Sequence, residues 1–251
     1  MRSLILVVFF FSNLLMAQKE EKILFIGNSF TFYWNLPSQV EQMARQQETK
    51  WEVFQSTAGG ATLRDHWQGN KGLKTKKLLS ENKFDRVIFQ DHSTYPVKYK
   101  DTTAYYFSKL KSLLPPTTQV LLYATWNYPN FPIVGIKPKD SKQIAANLES
   151  IAAQFNEVDI IAVGQAFDLF SSTYPEIKLL TDDKKHPSPN GSYLAACVIY
   201  ATLTGNSALG LNRRYEGKDL NGKKIYYSIV EKNVVTKCQE IANQIVFGLS
   251  P

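Results

Sequence analysis

The sequence predicts an α/β domain in which helices cover both faces of a central parallel sheet of about five strands, giving three layers. Short apolar runs alternate with helix-like segments along the chain, the pattern of a parallel sheet with crossover helices. The runs end on small or polar residues, the first on Gly27-Asn28-Ser29. A length of 251 residues, with 44% apolar and 20% charged side chains, suits one sizeable globular domain.

Each element has its own signal. The first segment, MRSLILVVFFFSNLLMAQ, is set apart: Arg2 supplies a positive end and Leu4 to Met16 an apolar core of signal-peptide length. Residues 1–17 are therefore expected to be a signal peptide cleaved after Ala17, with an uncleaved anchor as the alternative, and 18–251 the folded domain. ILFIG (Ile23 to Gly27) is the first strand, and a helix follows from Leu36 to Gln47 with Pro37 in its first turn. WEVFQS (Trp51 to Ser56) and FDRVIFQ (Phe84 to Gln90) are the next strands. A helix from about Thr102 ends at Leu114, before Pro115 and Pro116. QVLLYATW (Gln119 to Trp126) is the fourth strand, and a loop rich in proline and aromatics runs on to Asp140. A helix from Ser141 to Asn156 leads to the fifth strand, VDIIAVG (Val158 to Gly164). Two further helices follow Pro189 and span about Val230 to Phe247. Right-handed crossovers place every strand's C-terminus along one edge, where such sheets bind ligands.

Composition narrows the function. The formal charge of +7 is spread over clusters such as KGLKTKK, which read as solvated faces, and export argues against a nucleic-acid partner. No second apolar run approaches membrane-spanning length, so no stable membrane insertion is expected once the signal is removed. The predicted location is secreted or periplasmic. Cys197 and Cys238 are either a disulfide permitted by an oxidising compartment or two buried thiols. There is no C-x-x-C, G-x-S-x-G, G-x-G-x-x-G, phosphate loop or H-E-x-x-H, and neither metal nor cofactor is expected.

Three histidines are present: His66, His92 and His186. His186 lies in LLTDDKKHPSPNGSYLAA, where Asp183, three residues earlier, is near enough in sequence to hold the imidazole's Nδ1 and leave Nε2 to accept a proton. Asp182 is the alternative orienting carboxylate.

Together, FIGNSFT, STAGGATL (Ser56 to Leu63) and DDKKHPSPNGSYLAA resemble the serine, glycine and aspartate–histidine blocks of the SGNH hydrolases, the GDSL esterase/lipase superfamily. They occur in that family's order and span most of the chain. The resemblance implies a flavodoxin-like fold and an esterase in which Ser29 is the nucleophile, His186 the base and Asp183 its orienting partner. It also implies oxyanion donors from the N–H groups of Ser29 and Gly60. The family's G-x-N-D block is absent, and VIFQDHS stands in its place. Gln90 is the expected third donor, with His92 or Asn127 as substitutes. Trp126 and Asn127, at the head of the long loop, are the expected substrate-binding residues, and Phe30, Phe32, Tyr33 and Trp34 are candidate pocket walls. His66 and Trp67 either line the rim or pack.

The resulting expectation is an exported serine ester hydrolase working through an acyl-enzyme. Small acyl groups on a carbohydrate are the substrates suggested by secretion and by the family's habits. The alternatives are a lipase or thioesterase with the same triad, or an inactive carbohydrate-binding protein on this scaffold.

Overall fold

The computed structural model describes residues 20–129, 131 and 140–248, so the expected signal segment and most of the loop before Asp140 lie outside the described residues. Strand β1 (Glu21–Gly27) leads through a single helical turn, α1 (Ser29–Phe32), into α2 (Leu36–Gln46) and then β2 (Trp51–Thr57). Helices α3 (Leu63–Gln68) and α4 (Thr75–Glu81) cross to β3 (Arg86–Phe89). Next come α5 (Tyr95–Lys98), α6 (Lys100–Lys111), β4 (Gln119–Tyr123), α7 (Lys142–Ala152) and β5 (Val158–Ile161). The chain continues through α8 (Val163–Thr173), α9 (Pro189–Thr204), a hairpin of β6 (Arg214–Lys218) and β7 (Lys224–Ile229), and α10 (Lys232–Phe247).

The main sheet has five strands in the order β2-β1-β3-β4-β5, all pairs parallel, as the alternation predicts. Helices α2, α8, α9 and α10 pack together, as do α3, α5, α6 and α7, forming the two outer layers. The order in which strands are laid down reverses between β1 and β3, where a doubly wound sheet opens a crevice at its C-terminal edge. Register sets what meets there: Gly27 pairs with Thr57, Ile26 with Phe89, and the Gln90 N–H donates to the Ile26 carbonyl at 2.8 Å.

Some boundaries differ from the sequence expectation. The fourth strand stops at Tyr123 and the fifth at Ile161. Val163 and Gly164 open α8 instead, and a Cβ on Gly164 would collide with the Thr125 carbonyl, so glycine permits the close approach of helix to strand exit. The β6–β7 hairpin and helices α3, α4, α5 and α8 go beyond the elements expected from sequence. Cys197 and Cys238 are free and buried, which decides for the two-thiol reading.

Candidate active site

Ser29 sits where β1 passes into α1, and Asn28 makes that turn rigid. As N-cap, Asn28 accepts the Phe30 N–H through Oδ1 at 3.1 Å. Its Nδ2 donates to the Ala61 carbonyl at 2.9 Å and its own N–H to Gln90 Oε1 at 2.9 Å. One side chain thus ties the serine turn to the glycine block, while its backbone is tied to the tip of β3. Gly27 is required just before it, since a Cβ there would run into the Thr31 hydroxyl and Gln90 Oε1. His66 braces the same peptide from below: its Nε2–H donates to the Gly27 carbonyl at 3.1 Å and its Nδ1 accepts from Thr75 at 2.7 Å. Burial lowers the pKa of His66 to about 4. It packs and does not line the rim.

From 157 positions downstream, His186 places Nε2 2.9 Å from Ser29 Oγ. Its Nδ1 lies 2.5 Å from Asp183 Oδ2. A carboxylate can only accept, so the imidazole proton is on Nδ1 and Nε2 accepts from the serine hydroxyl. Asp183 Oδ1 collects the N–H of His186 at 2.9 Å, that of Lys185 at 2.8 Å and the Thr181 hydroxyl at 2.8 Å. Partial burial raises the Asp183 pKa, but these bonds, led by the His186 ring, outweigh it and hold the carboxyl well below the usual range. No hydrogen bond among the described residues ties Asp182 to the ring, so Asp183 is the partner.

Two tryptophans clamp the histidine turn. Trp126 Nε1 donates to the Lys185 carbonyl at 3.0 Å and Trp34 Nε1 to the Pro187 carbonyl at 2.7 Å. Tyr33 stacks on the imidazole at 4.4 Å and Phe30 meets it edge-on at 5.7 Å. The ring is therefore held in plane from several sides, which is what proton transfer to a fixed hydroxyl needs.

A cavity of about 360 Å³ opens on this pair, lined among others by Ser29, Gly60, Tyr33, His92, Ser93 and Lys185. Gly60 has φ of +61°, a left-handed conformation that favours glycine. Its turn is pinned by the Asn28–Ala61 bond and by Asp91, whose Oδ1 accepts the Leu63 N–H at 2.9 Å. Among the described residues no hydrogen bond engages the N–H of Ser29 or of Gly60, and both residues line the cavity.

Gln90 is not at the cavity. Its Oε1 accepts from the Asn28 N–H and the Thr31 hydroxyl, and its amide nitrogen donates to the Asp91 carbonyl. Because the Asn28 N–H can only donate, the amide cannot be reversed. At 1% exposure Gln90 is a buried brace, and the expectation of an oxyanion donor there is corrected. Trp126 and Asn127 also miss the cavity. Trp126 is packed between Phe30 at 4.5 Å and Phe167 at 4.1 Å, and Asn127 turns Oδ1 onto the Tyr128 N–H. Both face inward because the segment after Tyr123 folds into the core.

The residues that do reach the cavity from the β3 tip are His92 and Ser93, and of the two it is His92 that carries a ring N–H. Its Nδ1 lies 3.4 Å from the Thr94 N–H, which can only donate, and 3.0 Å from the Thr94 hydroxyl. Nδ1 is thus the acceptor and the ring proton sits on Nε2. Burial, then Lys185 and Lys71, lower the pKa of His92 and favour this neutral form. Asp91 fixes the backbone, accepting the His92 N–H at 2.7 Å.

Neither a protein-family model nor a curated relative matches the sequence. Solved structures do. A DUF4886-family protein from Bacteroides uniformis matches with a TM-score of 0.72 at 19% identity, over 92% of this chain and 96% of its own. A Slackia heliotrinireducens protein assigned to the SGNH hydrolases matches with a TM-score of 0.62 at 26% identity, over 74% of this chain and 100% of its own. The fold is that of the SGNH hydrolases. A lipase/acylhydrolase from Enterococcus faecalis shares this SGNH fold, with a TM-score of 0.57 at 17% identity over 74% of this chain and 96% of its own. Sequence inspection missed the bracing by Asn28 and Asp91, because neither has a catalytic signature and both act through backbone groups.

Proposed function

We propose that the protein is an exported serine ester hydrolase that removes small acyl groups through an acyl-enzyme. The observation that carries this reading is the hydrogen-bonded chain from Ser29 Oγ to His186 Nε2 and from His186 Nδ1 to Asp183, opening on a cavity with two unengaged backbone N–H groups.

In this reading Ser29 Oγ attacks the ester carbonyl while its proton passes to His186 Nε2. Asp183 stabilises the imidazolium that forms. The oxyanion is met by the N–H groups of Ser29 and Gly60 and by His92 Nε2–H, which replaces the Gln90 amide as third donor. Collapse of the intermediate breaks the ester C–O bond, and His186 delivers the proton to the departing alcohol. Water then attacks the acyl-enzyme with His186 again taking a proton, and the carboxylic acid leaves as Ser29 is restored. Export rests on the leader pattern at residues 1–17 and is tested by the mature N-terminus, which should begin at Gln18.

Fluorophosphonate labelling and p-nitrophenyl acetate hydrolysis test the chemistry. Wild type should label and turn over, and Ser29→Ala should do neither. A wild-type chain inert to both would establish the non-catalytic reading instead.

A further inference from the structure

The catalytic cavity is electrically one-sided. No carboxylate is among the described residues that line it, and one ammonium is, that of Lys185, the residue directly before His186. Its position is set from three directions. Asp183 Oδ1 accepts the Lys185 N–H at 2.8 Å, and Trp126 Nε1 donates to the Lys185 carbonyl at 3.0 Å. Beyond the backbone, Nζ lies 5.6 Å from the centre of the Tyr128 ring, within cation–π reach. The two backbone bonds also fix the histidine turn, so ammonium and imidazole are carried on one braced segment.

The acids around the cavity are committed elsewhere. Asp183 gives Oδ2 to the His186 ring and Oδ1 to backbone N–H groups and Thr181. Asp91 accepts the Leu63 and His92 N–H groups through Oδ1 and the Thr103 hydroxyl through Oδ2. Asp65 accepts from the Thr62 N–H and from Asn70. Among the described residues no carboxylate stands within ion-pair distance of Lys185 Nζ. Lys71, the other lysine whose charge acts on His92, differs in this respect, because its Nζ already donates to the Gly59 carbonyl at 3.2 Å.

Of the charged groups acting on the His92 ring, Lys185 has the largest effect, so its charge is also felt at the reacting centre. Lys185 is half-buried, which leaves its ammonium open to a ligand in the cavity and less screened than a fully exposed one. A single uncompensated positive charge matches a group with a single negative charge. A phosphate dianion would keep half its charge unpaired in this cavity, and a neutral ester would leave the ammonium without a partner.

We propose that Lys185 selects esters that carry a carboxylate, pairing its ammonium with that group while the ester carbonyl lies at Ser29. The inference rests on the hydrolase reading above for the place of the ester, whereas binding of the anion is tested without turnover. Two matched pairs of esters serve as probes. One pair is m-acetoxybenzoate and its methyl ester, with the carboxylate on the alcohol; the other is p-nitrophenyl adipate and its methyl ester, with the carboxylate on the acyl group. In at least one pair wild type should have the higher kcat/KM on the anion. Lys185→Met should lower that anion-to-neutral ratio about 5-fold or more, and Lys185→Arg should keep most of it. The ratio is the readout because any change common to both esters cancels in it. The advantage of the anion should also shrink in about 0.5 M salt.

In parallel, Ser29→Ala protein is titrated with both anions while the His92 and His186 ring signals are followed by NMR. At least one anion should shift them saturably, and adding Lys185→Met should weaken that binding. A ratio unmoved by Lys185→Met in both pairs, or equal binding with and without Lys185→Met, would overturn the proposal. Failure of the hydrolase reading shows separately, as a wild-type chain that fluorophosphonate does not label, and the titration then decides on its own.

Discussion

Replacing His92 with alanine, in parallel with Gln90→Ala, separates the oxyanion donor from its brace. His92 lines the cavity with its proton on Nε2, so on the proposed reading His92→Ala removes one of three oxyanion donors. Loss of one such donor costs about 100- to 1,000-fold in kcat, or roughly 3–4 kcal/mol, with little change in KM because the interaction strengthens only in the transition state. Gln90→Ala instead strips the acceptor from the Asn28 N–H in a turn where Asn28 is 3% exposed. That unpaired donor costs about 1–3 kcal/mol of folding stability, and each kcal/mol lowers Tm by roughly 2–4 °C in a domain of this size. The assay is steady-state hydrolysis of p-nitrophenyl acetate combined with thermal melts of the same preparations. His92→Ala should lose turnover and keep its melt, and His92→Gln, which restores an N–H, should recover part of the rate. A His92→Ala enzyme turning over like wild type, beside a Gln90→Ala enzyme slowed 100-fold at unchanged Tm, would return the role to Gln90 and refute the tautomer assignment.

Three further outcomes are expected. Asp183→Asn should lower kcat by at least about 100-fold while Asp182→Asn leaves it alone, because of the two carboxylates it is Asp183 that bonds the ring; equal effects in steady-state kinetics would remove Asp183 from its role. His66 is a base whose folded pKa, about 4, lies below its ordinary 6.5, so the unfolded chain protonates first as pH falls and stability is lost across that window. Urea titrations at pH 7 and 4.5 should show His66→Gln, which does not titrate, losing roughly 2–3 kcal/mol less than wild type; parallel losses would contradict a buried neutral imidazole. Trp126→Ala should cost about 3–5 kcal/mol in the same titrations by emptying the stack between Phe30 and Phe167, and a loss below 1 kcal/mol would show that the stack does not support the fold.

The parts of the site legible in the sequence are those whose geometry is local. Asp183 and His186 meet on one turn, and Ser29 follows directly from a strand tip, so chain order and spacing carried most of the information. The sheet was legible for the same reason, since its strands are short apolar runs with helices between them. The β6–β7 hairpin was not, because its strands, RYEGK and KIYYSI, mix charged, polar and aromatic residues without a regular apolar alternation and bury little; its one signal, the turn at Asn221-Gly222, with Gly222 at φ of 76°, was available.

What failed to show was which way side chains turn at the sheet edge. Gln90 carries the amide that a missing asparagine suggests, but a longer side chain next to a glycine can fold back. Gly27 leaves the space, and the Asn28 N–H and Thr31 hydroxyl fill the Gln90 oxygen's bonding capacity. With Gln90 committed to bracing the serine turn, the third donor proposed above is His92, two residues on, with its Nδ1 already engaged by Thr94. The exchange has a chemical consequence. An asparagine amide donates at any pH with the same strength, whereas an imidazole donates more strongly when protonated. Lys185 and Lys71 oppose that protonation. Replacing Lys71 with methionine, away from the cavity lining, should therefore raise the His92 titration midpoint followed by histidine NMR, and an unmoved midpoint would mean that burial and Lys185 keep the ring neutral without Lys71.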